Sequence, residues 1–246
     1  VGKLKNNKKP LTNKVEGQSV QVLVFFSSLT GGTEKIATDF TKQLSIPTSW
    51  SSESVSSGLA EPQLHDLSYV DYDEYFLNMP KSAHDEGIKY FYLLLLPTYN
   101  IDTVLDNFLE HLKETHNDFR IDTAPLSSLI GYSVFGFGDR ESWPTEAAGF
   151  CSQARDVDKW MAKLTGRKRA FPLGMGDSRT DAAERFQEWT NGVQDVVESV
   201  VQTGTLGEGV VGSGDPVESD AEDAEEDNED PVSGEIRTDD QKVKCE

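Results

Sequence analysis

V-Q-V-L-V-F-F-S-S-L-T-G-G-T, residues 20–33, is an apolar run broken only by Gln21 and followed by a turn of hydroxyls and glycines. A run of that kind, without polar alternation, suits a strand covered on both faces. Directly after it, Ile36, Ala37, Phe40 and Leu44 recur at helical spacing, so the stretch reads as strand, tight turn, helix. The same unit recurs down the chain. Tyr90–Leu96 and Leu129–Phe137 are two further apolar runs, and His65–Ser68 and Arg169–Leu173 are weaker strand candidates. Helical stripes lie at Val104, Leu105, Phe108, Leu109 and Leu112, then at Ala147, Cys151, Ala154, Val157, Met161 and Leu164. A last stripe holds Phe186, Trp189, Val193, Val196, Val197 and Val200. Five strands interleaved with helices predict an α/β fold, a doubly wound five-stranded parallel sheet with helices on both faces, and these residues are its expected core.

Charge and composition bound what that fold can do. Across 246 residues, 43 acidic against 23 basic side chains give a net charge of −20. That balance argues against a surface built to neutralise phosphates, and so against nucleic-acid or anionic-membrane contact by this chain; a basic protein partner stays open. The longest wholly apolar run, Phe91–Leu96, is far too short to cross a bilayer. Cys151 and Cys245 cannot build a disulfide framework and no zinc spacing occurs, which points to a reducing compartment on the cytoplasmic side. The chain starts at Val1, so a piece of a longer protein is expected. Residues 1–17, with five lysines in the first 14, read as a disordered basic arm. Residues 203–246 hold 15 acids and 3 bases and read as a disordered acidic linker, leaving 18–202 as the folded domain. Within it, residues 47–62 form a polar loop.

In a doubly wound sheet, ligands sit outside the carboxyl ends of the strands near the point where strand order reverses. The loop Ser27-Ser28-Leu29-Thr30-Gly31-Gly32-Thr33 places four hydroxyls and a row of backbone N–H groups at a helix N-terminus, which makes an anion cradle. It closes with no Lys-Ser or Lys-Thr, so it is not a Walker loop, and it lacks G-x-G-x-x-G order. An ordinary helix cap is the plainer alternative for this loop taken alone. After the third strand come Pro97, Thr98 and Tyr99; after the fourth come Gly136, Phe137, Gly138, Asp139 and then Trp143. A phosphate cradle flanked by two aromatic loops suits a flat ring on a phosphorylated chain, with the fourth-strand glycines letting backbone approach the ring.

This order of parts resembles the flavodoxin family over residues 20 to about 200, a resemblance that implies the strand order 2-1-3-4-5 and FMN as cofactor. A narrower resemblance appears in V-F-G-F-G-D-R-E-S-W-P, in D-V-D-K-W-M-A-K-L-T-G-R-K-R-A-F-P-L-G and in the E-W ending at Trp189. These are similar to the flavodoxin-like portion of the fungal 4-demethylwyosine synthases, tRNA wybutosine-synthesising lyases; S-S-L-T-G-G-T, L-P-T-Y-N-I-D and the acidic linker agree. In that family the linker leads to a radical-SAM half whose C-x-x-x-C-x-x-C motif holds a 4Fe-4S cluster and uses S-adenosylmethionine. No such motif occurs here, so the resemblance covers the redox portion alone. Carried over, it implies that Ser27, Ser28, Thr30, Gly31, Gly32 and Thr33 hold the FMN phosphate. Pro97, Thr98 and Tyr99 would border the isoalloxazine, with Gly136, Phe137, Gly138, Asp139 and Trp143 on its other side. The implied partners are the radical-SAM domain of the same polypeptide, an electron-donating reductase, and tRNA-Phe reached only through the absent domain. One departure is Asn100-Ile101-Asp102, a short loop without the glycine that lets a peptide flip toward reduced flavin.

Other chemistry is poorly supported. His65, His84, His111 and His116 share no i, i+3 or i, i+4 pair, so no histidine metal site is expected. Cys151 falls on an apolar stripe and reads as packed, Cys245 lacks a nearby base, and no hydrolase triad pattern occurs, so no catalytic side chain is assigned. Competing functions are the FMN domain of a diflavin reductase, a free-standing flavodoxin, and a non-redox module that docks a partner. Asp102, Asp139 and Glu141, set against Arg140 alone, lead us to expect negative charge beside the ring.

Overall fold

The computed structural model describes residues 19–45, 58–79, 87–99, 101–144 and 149–207. The strands are β1 (Ser19–Phe26), β2 (Gln63–Asp66), β3 (Ile88–Pro97), β4 (Gly131–Gly138) and β5 (Gly174–Asp177). The helices are α1 (Gly32–Leu44), α2 (Tyr72–Phe76), α3 (Thr103–Asn117), α4 (Ser152–Leu164) and α5 (Ala182–Thr203). All five strands pair in parallel in the order β2-β1-β3-β4-β5. The order reverses between β1 and β3, so the loops after them diverge and leave a crevice at their carboxyl ends.

Strand pleating sorts the apolar run of β1 between two cores. Leu23 and Phe25 join Leu94, Leu96, Phe108, Val157 and Met161 on the face covered by α3 and α4. Val22, Val24 and Phe26 join Phe40, Leu44, Trp189, Val193 and Val197 on the face covered by α1 and α5. Each such side chain, fully buried, contributes about 1.5–3 kcal/mol of transfer free energy. The hydroxyl of Ser133, buried in β4, is satisfied on that second face: Trp189 Nε1 donates to Ser133 Oγ at 2.9 Å, and Ser133 Oγ donates to the Phe171 carbonyl at 3.1 Å.

Three local expectations are corrected. The fifth strand is Gly174–Asp177, not Arg169–Leu173. Arg169 makes one isolated bridge to Tyr132 while its guanidinium turns to Asp158, with Nε donating at 2.9 Å. The true strand runs G-M-G-D because a Cβ on Gly174 would lie 2.4 Å from the Phe135 ring and one on Gly176 would lie 2.6 Å from Ala182 Cα. Close packing has removed the apolar side chains that mark a strand. Helix α4 starts at Ser152, because Cys151 adopts a left-handed conformation with φ 53° that interrupts any helical path into it; Ala147 lies outside the described residues. Helix α2, one short turn, is absent from the sequence reading; its Asp71 cap accepts from Asp73 N and Glu74 N.

Helix α5 ends at Gly204, left-handed at φ 76°, whose N–H donates to the Val200 carbonyl. Lys89 Nζ donates to the Gly204 carbonyl at 2.9 Å, and Leu206 packs onto the core beside Gly131, so chain beyond residue 202 is part of this packing. The expected arm at 1–17 and residues 208–246 of the expected linker lie outside the described residues, as does most of the polar loop at 47–62. Its end is described: Leu59 bridges Val20, and Ala60 N donates to the Val20 carbonyl. Among the described residues no helix is long and apolar enough to cross a membrane.

Candidate functional site

The crevice at the carboxyl ends of β1, β3 and β4 is a cavity of about 540 Å³, within the range of small-molecule sites. Its first wall is the start of α1. Gly31 takes the N-cap position in a left-handed conformation, φ 81°, and no side chain caps the helix. The first-turn N–H groups, which have no partner inside a helix, are therefore left to face a ligand. Thr30, Gly32 and Thr33 line this wall. Ser28 Oγ instead accepts from Gly31 N at 3.0 Å, shaping the turn. Ser27 is buried and donates to Asp102 Oδ2 at 3.3 Å, so its hydroxyl points away from the phosphate role assigned above. Asp102 also caps α3 through Val104 N and Leu105 N, both 3.1 Å from Oδ1; it tethers two loops and is not among the residues lining the cavity.

Pro97, Thr98 and Tyr99 form the second wall. Tyr99 is held at both ends: its hydroxyl lies 3.3 Å from Thr30 Oγ1 and its carbonyl accepts from Gln153 Nε2 at 2.8 Å. Thr98 Oγ1 is shielded from solvent and lies against the Cys151 thiol, a weak partner. A hydroxyl at a cavity wall with only a weak partner keeps capacity for a ligand's polar edge.

Phe137, Gly138, Asp139 and Trp143 form the third wall. Asp139 closes its own turn, accepting from Glu141 N at 2.9 Å and Ser142 Oγ at 3.2 Å, while Trp143 N donates to the Asp139 carbonyl at 2.9 Å. Gly136 lies off the cavity. A Cβ there would meet Ala154 Cβ at 2.7 Å, so its missing side chain serves the approach of α4, not of a ring. Gly138 lines the cavity but is needed for the same packing, since a Cβ would sit 2.5 Å from Phe150.

The family model for flavodoxin matches residues 51–189 of this chain. The chain belongs to the flavodoxin family. Two relatives are S-adenosyl-L-methionine-dependent tRNA 4-demethylwyosine synthases. That of Saccharomyces cerevisiae is 40% identical over 174 residues, 70% of this chain and 19% of the relative. That of Schizosaccharomyces pombe is 35% identical over 217 residues, 86% of this chain and 28% of the relative. The chain thus spans less than a third of the length of either. Among solved structures, it is similar to a short-chain flavodoxin associated with a non-canonical PDU bacterial microcompartment, at 15% identity and a TM-score of 0.45, covering 72% of this chain and 99% of that one.

Three further residues line the cavity of this flavodoxin domain with no motif to mark them. Ile36, Ser142 and Ser178 also line the cavity, and Arg179, from the turn after β5, reaches Asp139 Oδ2 with Nε and Nη2 at 3.0 Å and bonds Glu141 Oε2 with Nη1. The expected excess of negative charge is corrected accordingly: with Asp102 tied up as a cap, Asp139 and Glu141 are countered by Arg179 as well as Arg140. Desolvation alone would raise the Asp139 carboxyl, but the bonds from Glu141 N, Ser142 and Arg179 outweigh it and hold it below its ordinary value. Burial raises the Cys151 thiol to about 11 despite the Thr98 hydroxyl, Arg140 and Arg155, so it stays protonated and inert at neutral pH. Among the described residues no group of three His, Cys, Asp or Glu side chains could hold a metal ion.

Proposed function

We propose that this domain binds FMN and serves as the redox portion of a 4-demethylwyosine synthase, supplying electrons for wybutosine formation on tRNA-Phe. The observation that carries the reading is the uncapped N-terminus of α1, opening into a cavity whose other walls present Tyr99 and Trp143. The fit is concrete: first-turn N–H groups and the Thr30 and Thr33 hydroxyls suit a phosphate, the aromatic walls suit a flat ring, and the Thr98 hydroxyl, weakly partnered by the Cys151 thiol, suits a ring-edge heteroatom. Bound FMN would supply one- and two-electron chemistry that no side chain offers.

The chain's own part is to bind, orient and shield. Helix α1 holds the phosphate by its dipole and N–H groups, which are strongest where water is scarce. Tyr99, fixed through Thr30 and Gln153, sets one face of the ring slot, and Trp143, fixed through the Asp139 turn, sets the other. Phe137, buried behind them, excludes water from the inner edge. Electrons would arrive from a reductase and leave for a 4Fe-4S cluster in a radical-SAM domain of the same polypeptide. That domain would use S-adenosylmethionine and contact the tRNA, in a reducing compartment on the cytoplasmic side.

Titration of the purified domain tests the first step. FMN is expected to bind one to one, with riboflavin weaker by about tenfold or more, the equivalent of about 1.4 kcal/mol, since riboflavin lacks the group α1 is built to hold. Equal affinities for the two would overturn the phosphate assignment. In a polypeptide carrying the cluster domain, reduced FMN is expected to reduce the cluster in a single-turnover mix; a cluster that stays oxidised would overturn the redox role.

A further inference from the structure

We propose that Arg179 is a positioning residue of the cavity: it clamps the Asp139–Trp143 wall to the turn after β5 and holds the charge at the mouth near neutral. The proposal rests on the FMN reading for one of its readouts and on apo geometry for the other.

Arg179 starts from a fixed base. Its backbone N–H donates to Asp177 Oδ1 at 3.0 Å, Asp177 is buried, and Asp177 N donates in turn to Asp181 Oδ1 at 2.7 Å. The neighbouring Ser178 N donates to the Gly138 carbonyl at 2.8 Å, extending the β4–β5 pairing past the strand ends. From this base the guanidinium engages two carboxylates on the opposing loop. A planar fork on a rigid backbone loses less freedom than a surface lysine would in making the same contacts. The engaged loop is short: Asp139 is the residue whose carbonyl accepts from Trp143 N. The line from Arg179 to the aromatic wall therefore passes through a single residue.

The same geometry decides the charge. Asp139 lines the cavity, and Glu141 lies two residues on. Removing the guanidinium leaves Asp139 at the cavity and Glu141 beside it with only Arg140 as a cation on that loop, and Arg140 is turned over the Phe150 ring at 4.0 Å. Added negative charge disfavours electron uptake by a bound ring and repels a phosphate.

The test compares Arg179→Gln, Arg179→Lys and Glu141→Gln with wild type, using Arg120→Gln as a control that breaks another exposed ion pair, with Asp118. In the apo domain, amide exchange at Glu141 and Trp143 is expected to rise about threefold in Arg179→Gln and to stay unchanged in the control. With FMN, Arg179→Gln is expected to weaken binding about threefold and lower the reduction potential. Arg179→Lys should keep the wild-type potential because it keeps the charge, and Glu141→Gln should raise it. A role confined to stability would leave the potential indifferent to charge. Unchanged exchange at Glu141 and Trp143 in Arg179→Gln overturns the clamp, whether or not FMN binds. A domain that fails to bind FMN overturns the proposed function instead, and the exchange result still decides this proposal.

Discussion

The loop after β1 is turned by its own residues and tied to the loop after β3 through Ser27 and Thr30, whereas the loop after β4, turned by Asp139, is pinned from the turn after β5 by Arg179. In the first, Ser28 Oγ caps Gly31 N three positions on, and α1 begins at the next residue. In the second, the wall is built by the Gly138 packing against Phe150, the Ser178 N–H and the Arg179 guanidinium. One cavity thus has a side, proposed for the phosphate, whose turn is set locally, and a side, proposed for the ring, whose packing exists only after the sheet and α4 have assembled. The phosphate side should tolerate substitution without loss of fold, and the ring side should not.

Glycine substitution gives the largest separation between them. In Gly138→Val the new Cβ would lie 2.5 Å from Phe150 Cε2 and 2.9 Å from Cys151 Sγ, in a core with no slack. Denaturant unfolding is expected to show a loss of about 3 kcal/mol. Gly32→Ala, on the phosphate side, meets nothing closer than Thr30 Oγ1 at 3.9 Å. It is expected to stay within about 0.5 kcal/mol of wild type. Equal losses in the two variants would dissolve the distinction.

The second contrast reverses the readout. Thr30→Ala removes an exposed hydroxyl and is expected to leave stability unchanged while weakening FMN binding by about 1.5–3 kcal/mol, the range for a hydrogen bond to a charged acceptor. Calorimetry returning an unchanged dissociation constant would remove Thr30 from the phosphate side.

How much of this was legible follows the same division. β1, α1 and the S-S-L-T-G-G-T turn could be read because their signals are contiguous. β5 could not, because Gly174 and Gly176 have given up their side chains to Phe135 and Ala182. Arg179 was invisible because nothing near position 139 announces a partner 40 residues on. Ser27 and Asp102 were misread for a subtler reason: each type fits the assigned role, and only the 3.3 Å bond between them shows that they are spent on each other. Asp102 did carry a usable signal, an Asp directly before the apolar stripe of α3, which marks an N-cap.

Acid should loosen the two sides in a fixed order. His65, paired across from Phe25 and stacked on its ring at 5.3 Å, has its pKa lowered by burial, against a raising pull from Glu74. The unfolded chain therefore takes up the proton more readily, so stability is intact above the ordinary value of 6.5 and falls as pH drops below it. Asp139 is held below 3.8, so its contribution is present above 3.8 and is lost only as pH falls through its lowered folded value. Between pH 7 and 5, amide exchange taken relative to the unfolded chain's intrinsic rate at each pH is expected to quicken along β1 and β2, beside the phosphate loop, and to hold steady at residues 139–143. His65→Phe should abolish the change. Exchange that quickens first in the Asp139 loop would put the weaker side where we place the stronger.

The smallest effect is expected from Asp139→Asn, and it separates the two jobs that one carboxylate does. Asparagine keeps an oxygen for the Glu141 N–H, so the turn that positions Trp143 survives. It removes one negative charge from the cavity wall, but Arg179 keeps Glu141 and Arg140 is untouched. The reduction potential of bound FMN should therefore rise by only about 10 mV, because salt screens exposed charge and a cation already opposes it. FMN affinity should change much less than in Thr30→Ala, since the phosphate is held across the cavity. A spectroelectrochemical titration that finds the potential unmoved or lowered would reject the charge argument at this residue. Asp139 would then belong wholly to the turn, and the ring side would be held by geometry alone.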